Sequence, residues 1–315
     1  MTGTGCANSF YLQVCFSFFL LLSIPQRLRA ETNFTVEAAS SKIDATVTTD
    51  ALKVSDSQLK QWVQKAADAV VAYYARYPVP HLTLQIRSFE GKGVRGGQTF
   101  SRDGGFIRIA VGSQTSEDDL NSDWMLAHEM VHLTFPNMQD EHHWIEEGIA
   151  TYIEPIARIQ AGQFSASRMW FELVRDMPKG LPQSGDQGLD RTHTWGRTYW
   201  GGALFCFLAD VEIRKQTQNK KGLQDALRGI LNAGGSMLND WPIEKALQTG
   251  DRAVGVEVLV KLYEEMRDRP MQVDLDSLWK QLGIRVENGA AQFNDQAPLA
   301  AIRNAITAPR TQRHM

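Results

Sequence analysis

The chain has 315 residues, 43% of them hydrophobic, with 33 basic and 36 acidic side chains and a formal net charge of -3. That is enough apolar sequence for one large domain or two closely packed lobes. The charges are mixed in sign, with no basic block and no acidic tail, which argues against a nucleic-acid surface built on net charge.

Phe10–Pro25 (FYLQVCFSFFLLLSIP) is an apolar run without a charge. It is short for a spanning helix and has the length of a signal-peptide core. Residues 1–30 are therefore read as a signal peptide, cut after Ala30, or as an N-terminal anchor. The rest of the chain is then expected outside the cytoplasm: periplasmic, secreted or held on the outer side of a membrane. No later segment is apolar enough to span a bilayer. Removal of residues 1–30 takes Cys6 and Cys15 away. Cys206, in the apolar stretch GALFCFLA, is left as a small core residue with no partner for an internal disulfide.

Residues 31–113 read as a small α/β lobe. FTVEA and IDATVTT carry short β-rich runs. Ser55 and Gln58 form a capping box ahead of a helical pattern that stops at Pro78. Leu82–Ser88 and Phe106–Gly112 are predicted strands, and the glycine-rich stretch between them, Gly91–Gly105, is read as a turn region. The strand FIRIAVG is expected to offer an edge to which an extended peptide could add.

Residues 114–315 read as a larger helical lobe. Helices are predicted near 118–134, 144–157, 165–175, 196–216, 222–232, 241–248, 252–267, 275–282 and 297–307, with a polar loop over 178–194. The expected architecture is α+β, with the chemistry where the two lobes join.

That chemistry centres on His128-Glu129-Met130-Val131-His132, which fits H-E-x-x-H. On a helix, positions i and i+4 share a face, so both histidines can point at one ion. Glu129 projects beside it, where it can take a proton from an activated water. A catalytic zinc generally takes three protein ligands and keeps one position open. Candidates for the third follow at once in Asp140–Pro155 (DEHHWIEEGIATYIEP): His142, His143, Glu146 and Glu147. Thr151 and Glu154 follow at helical spacing and could support the histidines.

HEMVH followed by WIEEGIATYIE resembles the gluzincin metallopeptidases, in particular the aminopeptidase N and glycyl aminopeptidase families. Their second motif, W-x-x-E-G-x-A-x-Y-x-E, matches here at Trp144, Glu147, Gly148, Ala150, Tyr152 and Glu154. The resemblance implies a thermolysin-like zincin fold, with the zinc site between a small β-containing N-terminal lobe and a larger helical lobe. It implies Zn²⁺ held by His128, His132 and Glu147, and a peptide or protein substrate. Arg197–Ile230 resembles the family's downstream helix pair, which makes Tyr199 the stabiliser of the oxyanion formed when water attacks a carbonyl. His193 and Arg197 stand close enough in sequence to compete for that role. The chain departs from the aminopeptidase N pattern near VRGGQTFS (Val94–Ser101), where an amine-binding G-x-M-E-N segment would fall and no acid stands. The missing acid favours cleavage inside a chain and the resemblance favours removal of N-terminal residues, so the two stay open. A rival class is a non-catalytic, zinc-containing protein that binds a peptide or cell-wall component. Closed structural sites prefer four ligands, often Cys, and a base beside the metal serves no structural purpose.

Overall fold

The computed structural model describes residues 30–49, 52–102 and 104–308. The leader or anchor read over residues 1–30 lies, except for Ala30, outside the described residues. Among the described residues no helix is long and apolar enough to cross a membrane.

The N-terminal lobe is a five-stranded sheet. Strands β1 (Ala30–Ala38) and β2 (Ser41–Thr49) pair antiparallel, from Ala38 opposite Ser41 to Ala30 opposite Thr49. The chain then crosses through α1 (Asp56–Tyr74). The helix starts where expected, because the Ser55 hydroxyl accepts from Gln58 N and the Gln58 side chain reaches back to Ser55 N. It ends at Ala75 in the left-handed region, φ 62°. Strand β3 (His81–Phe89) follows, parallel to β2, then β4 (Val94–Ser101) and β5 (Gly105–Gly112). The sheet order is β1-β2-β3-β5-β4, with β5 parallel to β3 and β4 antiparallel to β5.

Two expectations change here. FIRIAVG is an inner strand, paired on both sides, so β4 forms the edge. Gly91–Gly105 is not a turn throughout, since eight of its residues make that edge. The glycines mark a bulge: Arg95 faces Ala110 and Gln98 faces Arg108, so β4 carries one extra residue there, and Gly96 takes φ +64°. The bulge and the outward polar residues erase the alternation by which a strand is read from sequence.

The predicted helix over 118–134 is two helices, α2 (Glu117–Ser122) and α3 (Met125–His132). Asp123 breaks them. Its backbone is extended and its carboxylate accepts from Met125 N (3.1 Å), Leu126 N (3.2 Å) and the Trp62 indole (3.0 Å). The carboxylate thus caps α3 and fixes it to α1. Helix α4 (His143–Gln160) packs on α3 and α1, and α5 (Ala166–Asp176) follows. Gly196–Gly201 is a π-helical turn that runs straight into α6 (Gly202–Gln216). Helix α7 is Leu223–Asn232.

The next two helices shift from their expected bounds, to α8 (Ile243–Val254) and α9 (Leu259–Met266). Gly250 does not end α8. It lies inside it, where a Cβ would meet a Leu259 methyl at 2.5 Å, and Gly255 at φ +77° makes the stop. The Asp251 carboxylate then caps α9 through Val258 N, Leu259 N and Val260 N. Helix α10 (Leu275–Leu282) has the predicted bounds. The hairpin β6 (Ile284–Glu287) and β7 (Ala290–Phe293) was not foreseen, and α11 (Ala300–Thr307) closes the described chain.

The core runs from the sheet into the helices. Leu82, Leu84, Ile86, Ile107 and Ile109 are fully buried, as are Met130 and Tyr152 on the central helices. Cys206 is a free, buried core residue, as expected. Buried polar pairs lock the helices: Asp210 accepts from Arg214 Nε (2.8 Å), Leu223 N (2.9 Å) and the Tyr152 hydroxyl (3.2 Å), which joins α4, α6 and α7.

Candidate metal centre

Helix α3 places His128, Glu129 and His132 within two turns, while Met130 and Val131 turn into the core. Helix α4 lies against it and carries Glu147. The Glu147 Oε2 atom is 3.2 Å from His128 Nε2 and 3.6 Å from His132 Nε2. One ligand atom from each of the three residues fits within 4.8 Å of the others. The structure therefore brings together the three residues read as ligands.

The rival ligands fall elsewhere. His142 turns away, its Nδ1 3.1 Å from Asp190, whose carboxylate also accepts from the Trp144 indole (2.7 Å) and the Tyr263 hydroxyl (2.8 Å). Glu146 accepts from Met138 N at 3.2 Å and closes the loop before α4. His143 stands half exposed, with Nε2 3.3 Å from the other Glu147 oxygen.

The protonation states suit a cation. Burial, reinforced by the adjacent His128, pushes the His132 imidazole down to about 3, so it is neutral and free to donate a lone pair. Burial opposes ionisation of Glu147, but hydrogen bonds from His128 and His143 outweigh it and hold the carboxyl well below its usual range. Two imidazoles and one carboxylate on rigid helices form a donor set of the kind that binds zinc.

Glu129 is held by the edge strand. Its Oε2 accepts from the Thr99 hydroxyl at 2.5 Å, and its carbonyl oxygen lies 3.0 Å from the same hydroxyl. Burial raises the carboxyl against that hydrogen bond, which favours a group that exchanges a proton over one that is permanently ionised. Gly97 makes this closeness possible, since a Cβ there would lie 2.5 Å from Glu129 Oε1 and 2.7 Å from its Cγ. Sequence reading missed Gly97 and Thr99. The paired glycines of VRGGQTF were the available signal, but they were read as a turn.

Tyr199 lies in the π-helical turn, its ring stacked 6.4 Å from His128 and 5.8 Å from Trp195. Burial and the neighbouring Glu147 carboxylate push its phenol up to about 12, so it keeps its proton and can donate it. The two competitors for its role separate from it. Arg197 is buried in an ion pair with Asp186 (2.7 Å) and donates to Gly180 O, which ties down the 178–194 loop. His193 is exposed on that loop. The Glu154 carboxylate accepts from Arg158 at 2.8 Å.

The fold is α+β, and two adjacent helices bring two histidines and a glutamate together. No protein-family model and no curated protein matches the sequence. Solved structures do match in three dimensions. The aminopeptidase N family protein from Idiomarina loihiensis superposes with a TM-score of 0.63 at 14% identity, over 85% of this chain and 53% of that one. The M1 zinc metallopeptidase from Deinococcus radiodurans gives a TM-score of 0.52 at 13% identity, over 78% of this chain and 53% of that one. A variant of that peptidase bound to a Tyr-Ser-Ala substrate gives 0.51 at 12% identity. At these identities the likeness is one of fold, and the chain spans about half the length of those structures.

Proposed function

We propose that the protein is an exported zinc-dependent peptidase. The observation that carries the reading is the convergence of His128, His132 and Glu147 beside a carboxylate, Glu129, that the metal ligands do not need for their own placement.

Zinc bound by these three residues would supply Lewis acidity toward water and toward the carbonyl of a peptide bond. The protein supplies the rest. Glu129 takes the proton of the attacking water at its carboxylate and passes it to the leaving nitrogen. Thr99 holds that carboxylate in place from the edge strand. The Tyr199 hydroxyl donates to the oxygen that becomes negative as the carbonyl turns tetrahedral. The outer edge of β4 provides backbone groups along which an extended substrate can lie, with its reacting bond over Glu129. Peptidase chemistry also fits what the solved structures of similar fold are named for.

The test is a mixed peptide library digested by the zinc-loaded chain, with Glu129→Gln as the blank. The expected result is cleavage by the wild type that a chelator abolishes, and none by the variant. Cut positions would then separate removal of N-terminal residues from internal scission. Equal cleavage by Glu129→Gln would overturn the mechanism. A zinc-loaded wild type that binds peptides and never cuts them would make the protein a binding module.

A further inference from the structure

The cleft over Glu129 does not end at the metal ligands. Trp124, His128 and Tyr199 line it, and the same three residues line a second cavity of about 380 Å³ on the far side of His128. A chain crossing the site would therefore send a neighbouring side chain through that gap. The volume lies near the lower end of small-ligand pockets and suits one large side chain better than a folded segment.

The walls say which side chain. Each acid that lines the cavity already has a base. Glu154 pairs with Arg158 at 2.8 Å, Glu172 with Arg168 at 3.0 Å, and Asp176 with both Arg175 (2.5 Å) and Lys179 (2.8 Å). Asp176 is shared by two bases, so the bases exceed the acids by one, and that excess sits on the half-exposed Arg175 and Lys179, where solvent screens it. What remains open to solvent is aromatic surface, with Lys179 Nζ 5.7 Å over the Trp195 ring. Trp124 and Trp195 are 51% and 60% exposed at the mouth, which is unusual for residues of this size. Trp195 stacks on Tyr199 at 5.8 Å, and Trp124 packs edge-on against His128 at 5.4 Å, so both are set by groups of the candidate site itself.

We infer that this cavity is a specificity pocket for a neutral aromatic side chain next to the bond that is cut, with Trp124 and Trp195 as the residues that select it. A planar ring would cover the two exposed indoles and gain offset or edge-on contacts with them. A lysine would meet an excess of positive charge, and an aspartate would give up its hydration for bases that Asp176 and solvent already hold. This rests on the peptidase reading for the direction of the substrate chain.

Binding tests it apart from catalysis. The zinc-loaded Glu129→Gln full-length chain is titrated with labelled alanine-rich hexapeptides that carry one Phe, Lys or Asp at each position in turn. Phe at a single position is expected to tighten binding roughly tenfold or more over Ala, with no gain from Lys or Asp. Trp195→Ala and Trp124→Ala, each in the Glu129→Gln background, are expected to reduce the Phe gain to within about twofold, since each removes one wall of the ring's contact. Equal binding of all peptides, a preference for Lys or Asp, no binding of any, or a Phe preference that survives in both tryptophan variants would overturn the pocket. Phe-selective binding without cleavage by the wild type would uphold the pocket and remove the peptidase reading. Cleavage by the wild type with no Phe preference in binding would do the reverse.

Discussion

Gly148 and Gly202 meet backbone to backbone. A Cβ on Gly148 would run into Gly202 Cα, C and O, and a Cβ on Gly202 would run into Trp144 O and come within 2.7 Å of Gly148 Cα. Helices α4 and α6 thus touch through their main chains, one residue from Glu147 on one side and three from Tyr199 on the other. Any side chain at the crossing would push Tyr199 away from the ligand cluster. Gly202→Ala is expected to cost about 1–3 kcal/mol by overpacking. It should also lower peptide turnover more than zinc binding, because Glu147 sits on the helix that stays with α3. Denaturant midpoints and zinc titration check this, and a wild-type midpoint would show that the crossing relaxes freely.

The edge strand sets the carboxylate in the same way. Gly97→Ala places a methyl where the Glu129 side chain lies, and the carboxylate must swing off Thr99. Zinc affinity is expected to hold within a factor of about two while turnover falls by roughly 100-fold, the low end of what a general base contributes. Thr99→Val should lose most of the turnover and Thr99→Ser should keep it, since only the hydroxyl matters. Full activity in Thr99→Val would mean that Glu129 is placed by packing alone.

Removing the metal gives a third check. Zinc at about 1,000 times its dissociation constant should stabilise the fold by about 4 kcal/mol, and a chelator should reverse the gain. Glu147→Ala should weaken zinc by more than the roughly 10–100-fold expected from losing a supporting partner. Unchanged affinity would hand the third position to His143, which already lies 3.3 Å from Glu147.

The Glu154 carboxyl is pushed up to about 7 by burial, against the pull of Arg158. Its unfolded value is near 4.5. Across that window the folded state holds the proton more tightly, so this group's stabilising contribution is full below about 4.5 and is lost as pH rises through 7. The span corresponds to about 3 kcal/mol. Glu154→Gln should flatten the pH dependence of the urea midpoint across that window, and an unchanged slope would show that Arg158 keeps the carboxylate ionised throughout.

The candidate ligand cluster was legible because H-E-x-x-H encodes its geometry locally: positions i and i+4 put both histidines on one helix face, with Glu129 beside them. Glu147 was legible only through a motif of six matched positions, since nothing local separates it from Glu146. The structure separates them by direction, one toward the histidines and one toward Met138 N. Arg197 shows the opposite case. A basic residue two positions from Tyr199 read as a possible oxyanion partner, yet Asp186 neutralises it in the core. The Gly148–Gly202 crossing joins residues 54 apart, and such contacts are not encoded by periodicity. Strand β4 was lost because a bulge shifts its phase midway, and β6 and β7 because four residues each are too few to show a period.

Strand β4 also carries a hazard. Among the described residues it pairs with β5 only, so its outer row of amides and carbonyls is as open to another copy of the chain as to a substrate. The bulge limits that risk. It splits the ladder into two short runs, Val94–Arg95 and Gln98–Ser101, that do not share one register. A few residues of a passing peptide can align with such an edge, whereas a long strand from a neighbour would fall out of step at Gly96. The local irregularity that hid this strand from sequence reading thus doubles as protection against self-association.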